Sequence, residues 1–418
     1  MRIFISGISG TAMGPLALMA KEAGFEVFGT DLNEGAVTQE LRDKGIKVEI
    51  GAQDGKMLQD EFRSGGVDWF VYTSALPKDH PELKKANELG IKVSKRDEFI
   101  EFLVNRLNLK MVAVAGTHGK TTTTAGIVYL CTKLKLPVSW LVGTTLGFEG
   151  AGKYVSGSKY LIYEADEYDR NFLYYHPFLS IIPSVSYDHP DIYPTEEDYK
   201  AAFVQFIKQS RKTIAETTLD TKITVSGKIR RFDLGLGIEA VKEIVKDLEE
   251  SGELPGGDYS EAHMIEIMNT FPGVGRRMEK IRAGVYSDYA HHPEEIAATL
   301  EVANEEARKC GFKGVVAVYE PHQNVRQHEV FSGYKKAFLG ADKLFWMPTY
   351  LTRENPNLKV LKPEDFIESL ENFEVGESAE FDEKLFLRLK EYLEQGYLVL
   401  LMTAGPGDLW LRKHFAED

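Results

Sequence analysis

A glycine-rich turn between an apolar stretch and a helix-like stretch is the part of this sequence best suited to chemistry. Residues 111–125 read MVAVAGTHGKTTTTA, which predicts a buried strand over Met111–Ala115 and a helix that opens at Lys120. A helix N-terminus preceded by glycine presents backbone N–H groups and partial positive charge to phosphate. The residues expected to hold the phosphates of a nucleoside triphosphate are Gly116, Thr117, His118, Gly119, Lys120, Thr121 and Thr122.

This turn departs from the usual phosphate-binding pattern at one position. The usual loop has a glycine five residues before Gly119, where this chain has Val114. The sequence therefore predicts a shortened variant whose first glycine is Gly116. An ordinary glycine-rich turn is the alternative, but Gly-Lys-Thr between an apolar run and a helix is what the phosphate-binding mechanism requires.

An acidic cluster after the next predicted strand is the second chemical signal. The strand Lys159–Tyr163 runs into the sequence EADEYD at residues 164–169. Carboxylates at the end of a buried strand repel one another and lose hydration, so a bound cation would resolve the conflict. Glu164 and Thr121 together supply hard oxygen ligands that suit Mg²⁺ on nucleotide phosphates. A solvated acidic loop is the alternative.

The start of the chain predicts a strand, a glycine turn, a helix and a second strand. Gly7, Gly10 and Gly14 give the turn room to approach a diphosphate, and Asp31 at the end of the second strand can accept a hydrogen bond from a sugar hydroxyl. The spacing is not G-x-G-x-x-G, so a βαβ unit without a ligand stays open as an alternative.

Length and charge favour a multidomain protein with small-molecule partners. A chain of 418 residues predicts roughly two to four domains. Its formal net charge of -14 argues against non-specific binding to nucleic acid or an anionic membrane. Cys131 and Cys310 offer neither a disulfide framework nor zinc-ligand spacing, and neither a leader nor a membrane-spanning apolar run is recognised. We expect a cytoplasmic monomer or weak dimer.

The loop GTHGKTTT at residues 116–123 resembles that of the Mur ligase family, which joins amino acids to UDP-linked muramic acid using ATP. Further stretches that resemble the family are SGTAMG at 9–14, SALP at 74–77, FPGVGRRME at 271–279 and DYAHHPEEI at 288–296. The resemblance implies an α/β fold of three domains. These are a Rossmann-like UDP-sugar domain at 1–107, a central P-loop ATPase domain at 108–270, and a Rossmann-like amino-acid and nucleotide domain at 271–418.

The resemblance also implies an activity and its cofactors. The implied enzyme joins the carboxylate of UDP-N-acetylmuramate to L-alanine through an acyl phosphate, with ATP and Mg²⁺ as cofactors. A murein tripeptide is the alternative amine, and a homologue that binds sugar nucleotide and ATP without ligation is a third possibility. The implied partners are thus UDP-N-acetylmuramate and L-alanine or a short peptide, without nucleic acid or membrane.

Site residues follow from the resemblance by position. The implied UDP-sugar residues are Gly7, Ser9, Gly10, Thr11, Asp31 and Ser74. Arg276 and Asp288 join the phosphate turn in binding ATP, and the implied metal ligands are Thr121, Glu164 and His189. The implied amino-acid residues are Tyr289, His291, Arg326 and Arg353. The implied catalytic residues are Lys120, Glu164, His189, His291 and Arg326. A structural ion pair at Arg276 and helix capping around Asp288 are the alternatives.

Two departures from the family pattern limit what can be assigned. The segment 217–270 lacks the Gly-x-His-Asn motif that reads adenine in the family, so no residue is assigned to the base. This segment predicts a charged helix from Ile238 onward. The alanine-adding branch has an arginine where this chain has Gln323, although Arg326 is kept. Binding of an amino-acid carboxylate at this position is therefore expected to be weak.

Overall fold

Three mainly parallel sheets organise the residues that the structure describes. The structure is a computed structural model, and it describes residues 1–73, 76–144, 146–189, 192–352 and 354–416. The chain divides into two compact units, one of residues 1–224 with 231–272 and the other of 225–230 with 273–418. Two of the sheets belong to the first unit and one to the second. The predicted α/β class with three sheet-centred segments is confirmed, while the boundaries given to those segments stay a prediction.

The first sheet is parallel throughout, with strand order β3-β2-β1-β4-β5. Its strands are β1 (Arg2–Ser6), β2 (Glu26–Asp31), β3 (Lys47–Ile50), β4 (Trp69–Tyr72) and β5 (Lys92–Lys95). Its helices are α1 (Met13–Glu22), α2 (Thr38–Asp43), α3 (Lys56–Gly65), α4 (Pro81–Glu88) and α5 (Arg96–Arg106). The winding direction reverses between β1 and β4, where such sheets open a ligand crevice at the carboxyl ends of their strands. The predicted glycine turn follows β1 directly.

The second sheet has the order β11-β10-β6-β9-β7-β8. Its strands are β6 (Lys110–Val114), β7 (Val138–Leu141), β8 (Gly152–Lys153), β9 (Tyr160–Glu164), β10 (Leu179–Ile181) and β11 (Thr213–Ile214). The helices of this segment are α6 (Lys120–Lys133), α7 (Glu196–Gln209), α8 (Lys228–Glu250) and α9 (Glu261–Met268), with 3₁₀ segments Tyr168–Tyr174 and Leu219–Thr221. Because β10, β6 and β9 are parallel neighbours, the loops that follow them share one edge of the sheet.

The third sheet has the order β12-β13-β17-β14-β15-β16, and only its edge pair β12–β13 is antiparallel among the described strands. Its strands are β12 (Glu279–Arg282), β13 (Val285–Asp288), β14 (Val315–Glu320), β15 (Lys343–Trp346), β16 (Gly376–Ser378) and β17 (Leu398–Thr403). Its helices are α10 (Pro293–Cys310), α11 (Asn324–Val330), α12 (Pro363–Ile367), α13 (Glu383–Glu394) and α14 (Gly407–Phe415), with 3₁₀ segments Phe331–Lys336 and Phe373–Val375. Within the described residues, we find no helix long and apolar enough to cross a membrane.

Helix α8 is longer than the sequence predicts. It begins at Lys228 rather than at the expected Ile238, so Gly235 and Gly237 fall inside it. Glycine inside a helix costs about 1 kcal/mol relative to alanine, which is why the sequence pattern placed the start later. Close packing accounts for one of these glycines, since a Cβ on Gly235 would lie 2.9 Å from Cγ2 of Thr217.

One hydrophobic cluster runs through both sheets of the first unit. It includes buried side chains of the first sheet, such as Trp69, and of the central sheet, such as Met111. Phe99 on α5 belongs to the same cluster and packs its ring edge-on to Trp69, with ring centroids 5.2 Å apart. Phe172, in the 3₁₀ segment after β9, is also a member. The first two sheets therefore share a single core.

A buried polar cluster lies beneath the carboxyl ends of β1 and β2. Glu82 of α4 accepts hydrogen bonds from Ser6 Oγ (2.5 Å) and Thr30 Oγ1 (2.7 Å). Gln53 Nε2 donates to Ser6 Oγ at 3.1 Å. Glu82 is only 1% exposed, and burial raises the pKa of its carboxyl even though these hydroxyls oppose the shift. The cluster fixes the end of β1, which leads into the glycine turn, and the end of β2, which carries Asp31.

Replacing Glu82 with glutamine should make stability less sensitive to rising pH. Because the folded-state pKa of Glu82 is raised, its stabilising contribution is present below the ordinary carboxyl pKa and is lost as the pH rises through the raised value. The amide in Glu82→Gln carries no such proton. Melting temperatures across about pH 5 to 9 should therefore fall less with rising pH in Glu82→Gln than in the parent. Glu88→Gln, at an exposed position of the same helix, should follow the parent. Parallel profiles for the parent and Glu82→Gln would contradict this expectation.

Candidate functional site

The predicted phosphate turn joins β6 to α6 and leaves no room for side chains at its glycines. Gly119 has a φ of +84°, and a Cβ there would lie 2.5 Å from Asp233 Oδ1. A Cβ on Gly116 would lie 2.7 Å from the backbone oxygen of Ser184. Helix α6 begins at Lys120, so the N–H groups of its first turn have no intrahelical acceptor and are suited to an anion.

The backbone of this turn is held by the chain that follows β10. The N–H of Thr117 donates to the backbone oxygen of Ser184 at 3.1 Å, and that of His118 donates to Ser184 Oγ at 2.8 Å. Thr117 Oγ1 donates to the backbone oxygen of Ser186 at 2.6 Å. The expectation that the whole turn presents its N–H groups outward is therefore wrong for these two amides. The N–H groups of the first turn of α6 are not used in this way and suit an anion.

Lys120 is held in a buried ion pair. Its Nζ donates to both carboxylate oxygens of Glu167, at 2.9 Å each, and to the backbone oxygen of Gly116 at 2.6 Å. The side chains of Lys120 and Glu167 are 19% and 2% exposed. Burial lowers the pKa of Lys120, but the charge and hydrogen bonds of Glu167, together with the charges of Glu164 and Asp166, outweigh that effect and the net shift is upward. Burial likewise raises the pKa of Glu167, but Lys120 and His189 together lower it by more. Both groups are therefore charged.

Thr121 and Glu164 lie together, as the sequence predicts. Thr121 Oγ1 donates to Glu164 Oε1 at 2.7 Å, and the backbone N–H of Gly143 donates to Glu164 Oε2 at 2.8 Å. A hydroxyl and a carboxylate are thus side by side at the start of α6. Within the described residues no group of three or more His, Cys, Asp or Glu side chains is arranged to hold a metal ion. The assignment of these side chains to a metal stays a prediction.

His189 is close to Glu167. Its Nε2 lies 3.6 Å from Glu167 Oε1 and 3.6 Å from Asp188 Oδ2, and its backbone has a φ of +57°. Burial lowers the pKa of His189, but the nearby carboxylates of Glu167, Asp188 and Asp166 together raise it by more. Left-handed backbone at a residue with a Cβ costs energy and is commonly kept at functional positions. Its assignment as a metal ligand stays a prediction.

Glu167 is the central residue that the sequence alone did not single out. It stands in EADEYD among several carboxylates, and nothing in that pattern marks one of them as buried. In the structure its backbone oxygen also accepts from the hydroxyl of the fully buried Tyr193, at 2.6 Å. The available signal was its place at the end of a buried strand, which applied equally to its neighbours.

The N-terminal glycine turn brings Gly7, Ser9 and Asp31 together. Gly7 has a φ of +81°, and its N–H donates to the backbone oxygen of Thr30 at 2.8 Å. Asp31 Oδ2 accepts from the N–H of Ser9 at 2.9 Å, so this carboxylate first serves to hold the turn. Gly10 N–H closes the turn on the oxygen of Gly7 at 3.1 Å. Thr11 is exposed beside them. Ser74, also assigned to the UDP-sugar, lies outside the described residues.

In the second unit, Asp288 is buried at the end of β13 with both carboxylate oxygens engaged. Oδ2 accepts from the N–H of Met278 at 2.7 Å and Oδ1 from that of Ala290 at 2.8 Å. Burial raises the pKa of Asp288, and the charge of Arg277 opposes that shift. These bonds fix the loops around Asp288 rather than capping α10, whose N-cap is His292, and its contact with a ribose stays a prediction.

Arg276 lies against the aromatic ring of Tyr289. Its guanidinium carbon is 4.6 Å from the ring centroid, and one terminal nitrogen donates to the backbone oxygen of Thr403 at 2.6 Å. The backbone of Arg276 is left-handed, with a φ of +55°, and its oxygen accepts from the N–H of Tyr289 at 2.7 Å. The arginine and the tyrosine are therefore positioned by one another.

His291 carries a neutral imidazole. Burial lowers its pKa, and the nearby charge of Glu295 offsets only part of that shift. Its Nδ1 lies 3.0 Å from the backbone oxygen of Tyr289, and the rings of these two residues meet edge-on with centroids 5.4 Å apart. The ring of His322 follows at 6.3 Å. A neutral imidazole can accept a proton near neutral pH.

Arg326 is half-buried on α11, and its guanidinium makes neither a hydrogen bond nor an ion pair with the residues that the structure describes. The positive charge of Arg326 helps to lower the pKa of His291. Gln323, just before the helix, adopts a φ of +64°. An unpaired guanidinium beside a neutral histidine is suited to an anion such as a carboxylate. Arg353, its predicted companion, lies outside the described residues.

Comparisons with known proteins identify the family of this chain. The description "Mur ligase family, catalytic domain" matches residues 2–107, and "Mur ligase middle domain" matches residues 114–232. A UDP-N-acetylmuramate–L-alanine ligase of Caldicellulosiruptor saccharolyticus is 31% identical over 98% of this chain and 96% of its own length.

Two solved structures share the fold. One is a UDP-N-acetylmuramate–alanine ligase from Thermotoga maritima, with a TM-score of 0.75 and 22% identity over 99% of this chain and 98% of that one. The other is a murein peptide ligase from Psychrobacter arcticus, with a TM-score of 0.61 and 20% identity over the same shares. The resemblance noted in the sequence is thus confirmed by sequence and by fold. This chain belongs to the Mur ligase family of ATP-dependent, amide-forming ligases.

Proposed function

We propose that this protein joins the carboxylate of UDP-N-acetylmuramate to L-alanine in an ATP-dependent reaction of peptidoglycan precursor synthesis. The observation that carries the proposal is the start of α6, where Lys120, Thr121 and Glu164 lie together. These three residues belong to a chain that is 31% identical, over 98% of its length, to a protein whose name states that reaction. A cytoplasmic location goes with the proposal, because Cys131 and Cys310 are both free thiols.

The proposed chemistry has two steps. Joining a carboxylate to an amine at neutral pH is uphill, so the carboxylate oxygen first takes the γ-phosphoryl group of ATP and ADP leaves. The amine nitrogen then attacks the carbonyl carbon of this acyl phosphate, the amide bond forms, and phosphate leaves with the electron pair of the broken C–O bond. Lys120 and the first-turn N–H groups of α6 offset charge on the phosphate oxygens during the first step.

The pair Thr121 and Glu164 is suited to Mg²⁺. A hydroxyl and a carboxylate 2.7 Å apart at the start of a phosphate-binding helix are hard oxygen donors of the kind this ion prefers. Bound Mg²⁺ supplies neutralisation of charge on phosphate oxygens. We assign His189 as a further ligand; its Nε2 lies 3.6 Å from Glu167 Oε1 and 3.6 Å from Asp188 Oδ2.

The amine is assigned to the second unit. Arg326 would bind the amino-acid carboxylate, and Arg353 is its proposed companion. His291, neutral because of its burial, would take the proton that the ammonium must lose before attack. Tyr289 would line this subsite beside His291. In the first unit, the turn from Gly7 to Thr11, with Asp31 and Ser74, would bind the sugar nucleotide.

A murein tripeptide is the second candidate amine, and one observation favours it. Gln323 replaces an arginine of the alanine-adding pattern, which weakens the grip on a small amino acid. A tripeptide spreads its affinity over more contacts and depends less on one arginine. ADP release measured side by side with L-alanine, glycine, L-serine and a murein tripeptide separates the two candidates.

Replacing Lys120 with alanine should reduce ADP release at saturating ATP by more than about 100-fold, because its ammonium offsets charge on the transferring phosphoryl group. Lys133→Ala, at the exposed far end of the same helix, is the matched control and should keep parent activity. Circular dichroism spectra would check that both variants are folded. Activity of Lys120→Ala within about tenfold of the parent would rule out the phosphate-cradle assignment.

Replacing Arg326 with alanine should raise the KM for L-alanine by about tenfold or more, because a charged hydrogen bond to the carboxylate is lost. Gln323→Arg should lower that KM several-fold by adding a second guanidinium. Glu329→Ala, exposed on the same helix, should change neither constant and serves as the control. Unchanged L-alanine kinetics in the first two variants, with the tripeptide as the faster substrate, would replace the lead candidate by the second.

A further inference from the structure

Glu167 is a buried carboxylate of the first unit that the proposed chemistry leaves without a role. Its side chain is 2% exposed. Each of its two carboxylate oxygens accepts a hydrogen bond of 2.9 Å from the ammonium of Lys120. Burying a carboxylate costs several kcal/mol unless a partner of opposite charge and further hydrogen bonds compensate. The charged carboxylate of Glu167 can therefore stay buried only while the ammonium of Lys120 remains beside it.

The backbone of Glu167 is fixed by contacts of its own, so the position of this residue does not depend on Lys120 alone. Tyr193, which is fully buried, donates its hydroxyl to the backbone oxygen of Glu167 at 2.6 Å, and its own N–H donates to the oxygen of His189 at 2.9 Å. Two and three residues after Glu167, Asp169 and Arg170 adopt left-handed φ values of +54° and +57°. Consecutive left-handed residues with side chains cost of order 1–3 kcal/mol each and persist only where the surroundings fix them.

The three short contacts of Lys120 account for all of its N–H donors. Its ammonium has three protons, and Gly116 and the two oxygens of Glu167 lie within 2.9 Å of Nζ. A phosphate group at the start of α6 would need at least one of these donors. The phosphate can obtain such a donor only if Lys120 moves away from Glu167 or if the two anions share the ammonium.

Building on the proposed function, we propose that Glu167 positions Lys120 when no nucleotide is bound and competes with the nucleotide phosphates for its ammonium. A buried lysine would otherwise have to lose its proton or its position. The competition weakens the binding of every nucleotide, and a ligand with more phosphate charge overcomes it better. Glu167 therefore favours ATP over ADP and helps ADP leave after the reaction.

Nucleotide binding by the full chain, measured by titration calorimetry without sugar nucleotide or amine, tests this competition. Glu167→Gln removes the competing charge and should tighten ADP binding by about fivefold or more, with a smaller gain for ATP. Asp166→Asn is the matched control, because this neighbouring carboxylate is 43% exposed and makes no hydrogen bond to Lys120. It should change ADP affinity by less than about twofold.

A double-mutant cycle separates competition for the lysine from simple repulsion of phosphate. In the Lys120→Met background, Glu167→Gln should alter ADP affinity by less than about twofold, because no ammonium is left to share. Equal tightening with and without Lys120 would overturn the proposal, as would ADP binding by Glu167→Gln that is unchanged or weaker than in the parent.

A second variant covers the case in which the amide disturbs folding. Glu167→Asp keeps the charge but shortens the reach to Lys120, and it should tighten ADP binding to an intermediate extent; no tightening in this folded variant would also count against the proposal. A parent that binds neither ATP nor ADP would overturn the proposed function itself, and this inference with it. A parent that binds both, with variants that match it, would overturn only the role of Glu167.

Discussion

A charged carboxylate buried from water has to be neutralised within hydrogen-bond distance, and Glu167 imposes that requirement on the first unit. Lys120 supplies the positive charge from α6, and Tyr193 fixes the backbone of the same residue. The segments that follow β6, β9 and β10 thus meet at one residue. The sheet order makes this possible, because these three parallel strands are neighbours and place their carboxyl ends on one edge.

The sequence predicts those parts of the site that depend on local patterns. An apolar run, a glycine turn and Gly-Lys-Thr suffice to place the phosphate turn, since each residue acts through its own backbone or through the helix it begins. The adjacency of Thr121 and Glu164 was also predicted; Thr121 follows β6, and Glu164 ends the neighbouring parallel strand β9. The alternation of strands and helices gave the α/β class on the same grounds.

Tertiary packing decides what the sequence could not predict. The burial of Glu167 depends on chain segments distant in sequence, and its acidic neighbours looked equivalent. The amides of Thr117 and His118 were expected to face a ligand, but Ser184 accepts from both. Helix α8 starts early because packing outweighs the cost of its internal glycines. In each case a long-range contact overrides a local preference.

The common core of the first unit limits how this chain can be divided. Phe99 packs on Trp69, and the same apolar cluster continues to Met111 and Phe172. A cut after residue 107 would leave apolar surface bare on both fragments, and surfaces of that kind promote association and aggregation. Swapping the N-terminal segment with that of another Mur ligase, in order to change the sugar nucleotide, therefore means redesigning the packing of α5 as well as the glycine turn. A recombinant made at this boundary would need side chains that fit this cluster in order to fold, whatever sugar nucleotide it binds.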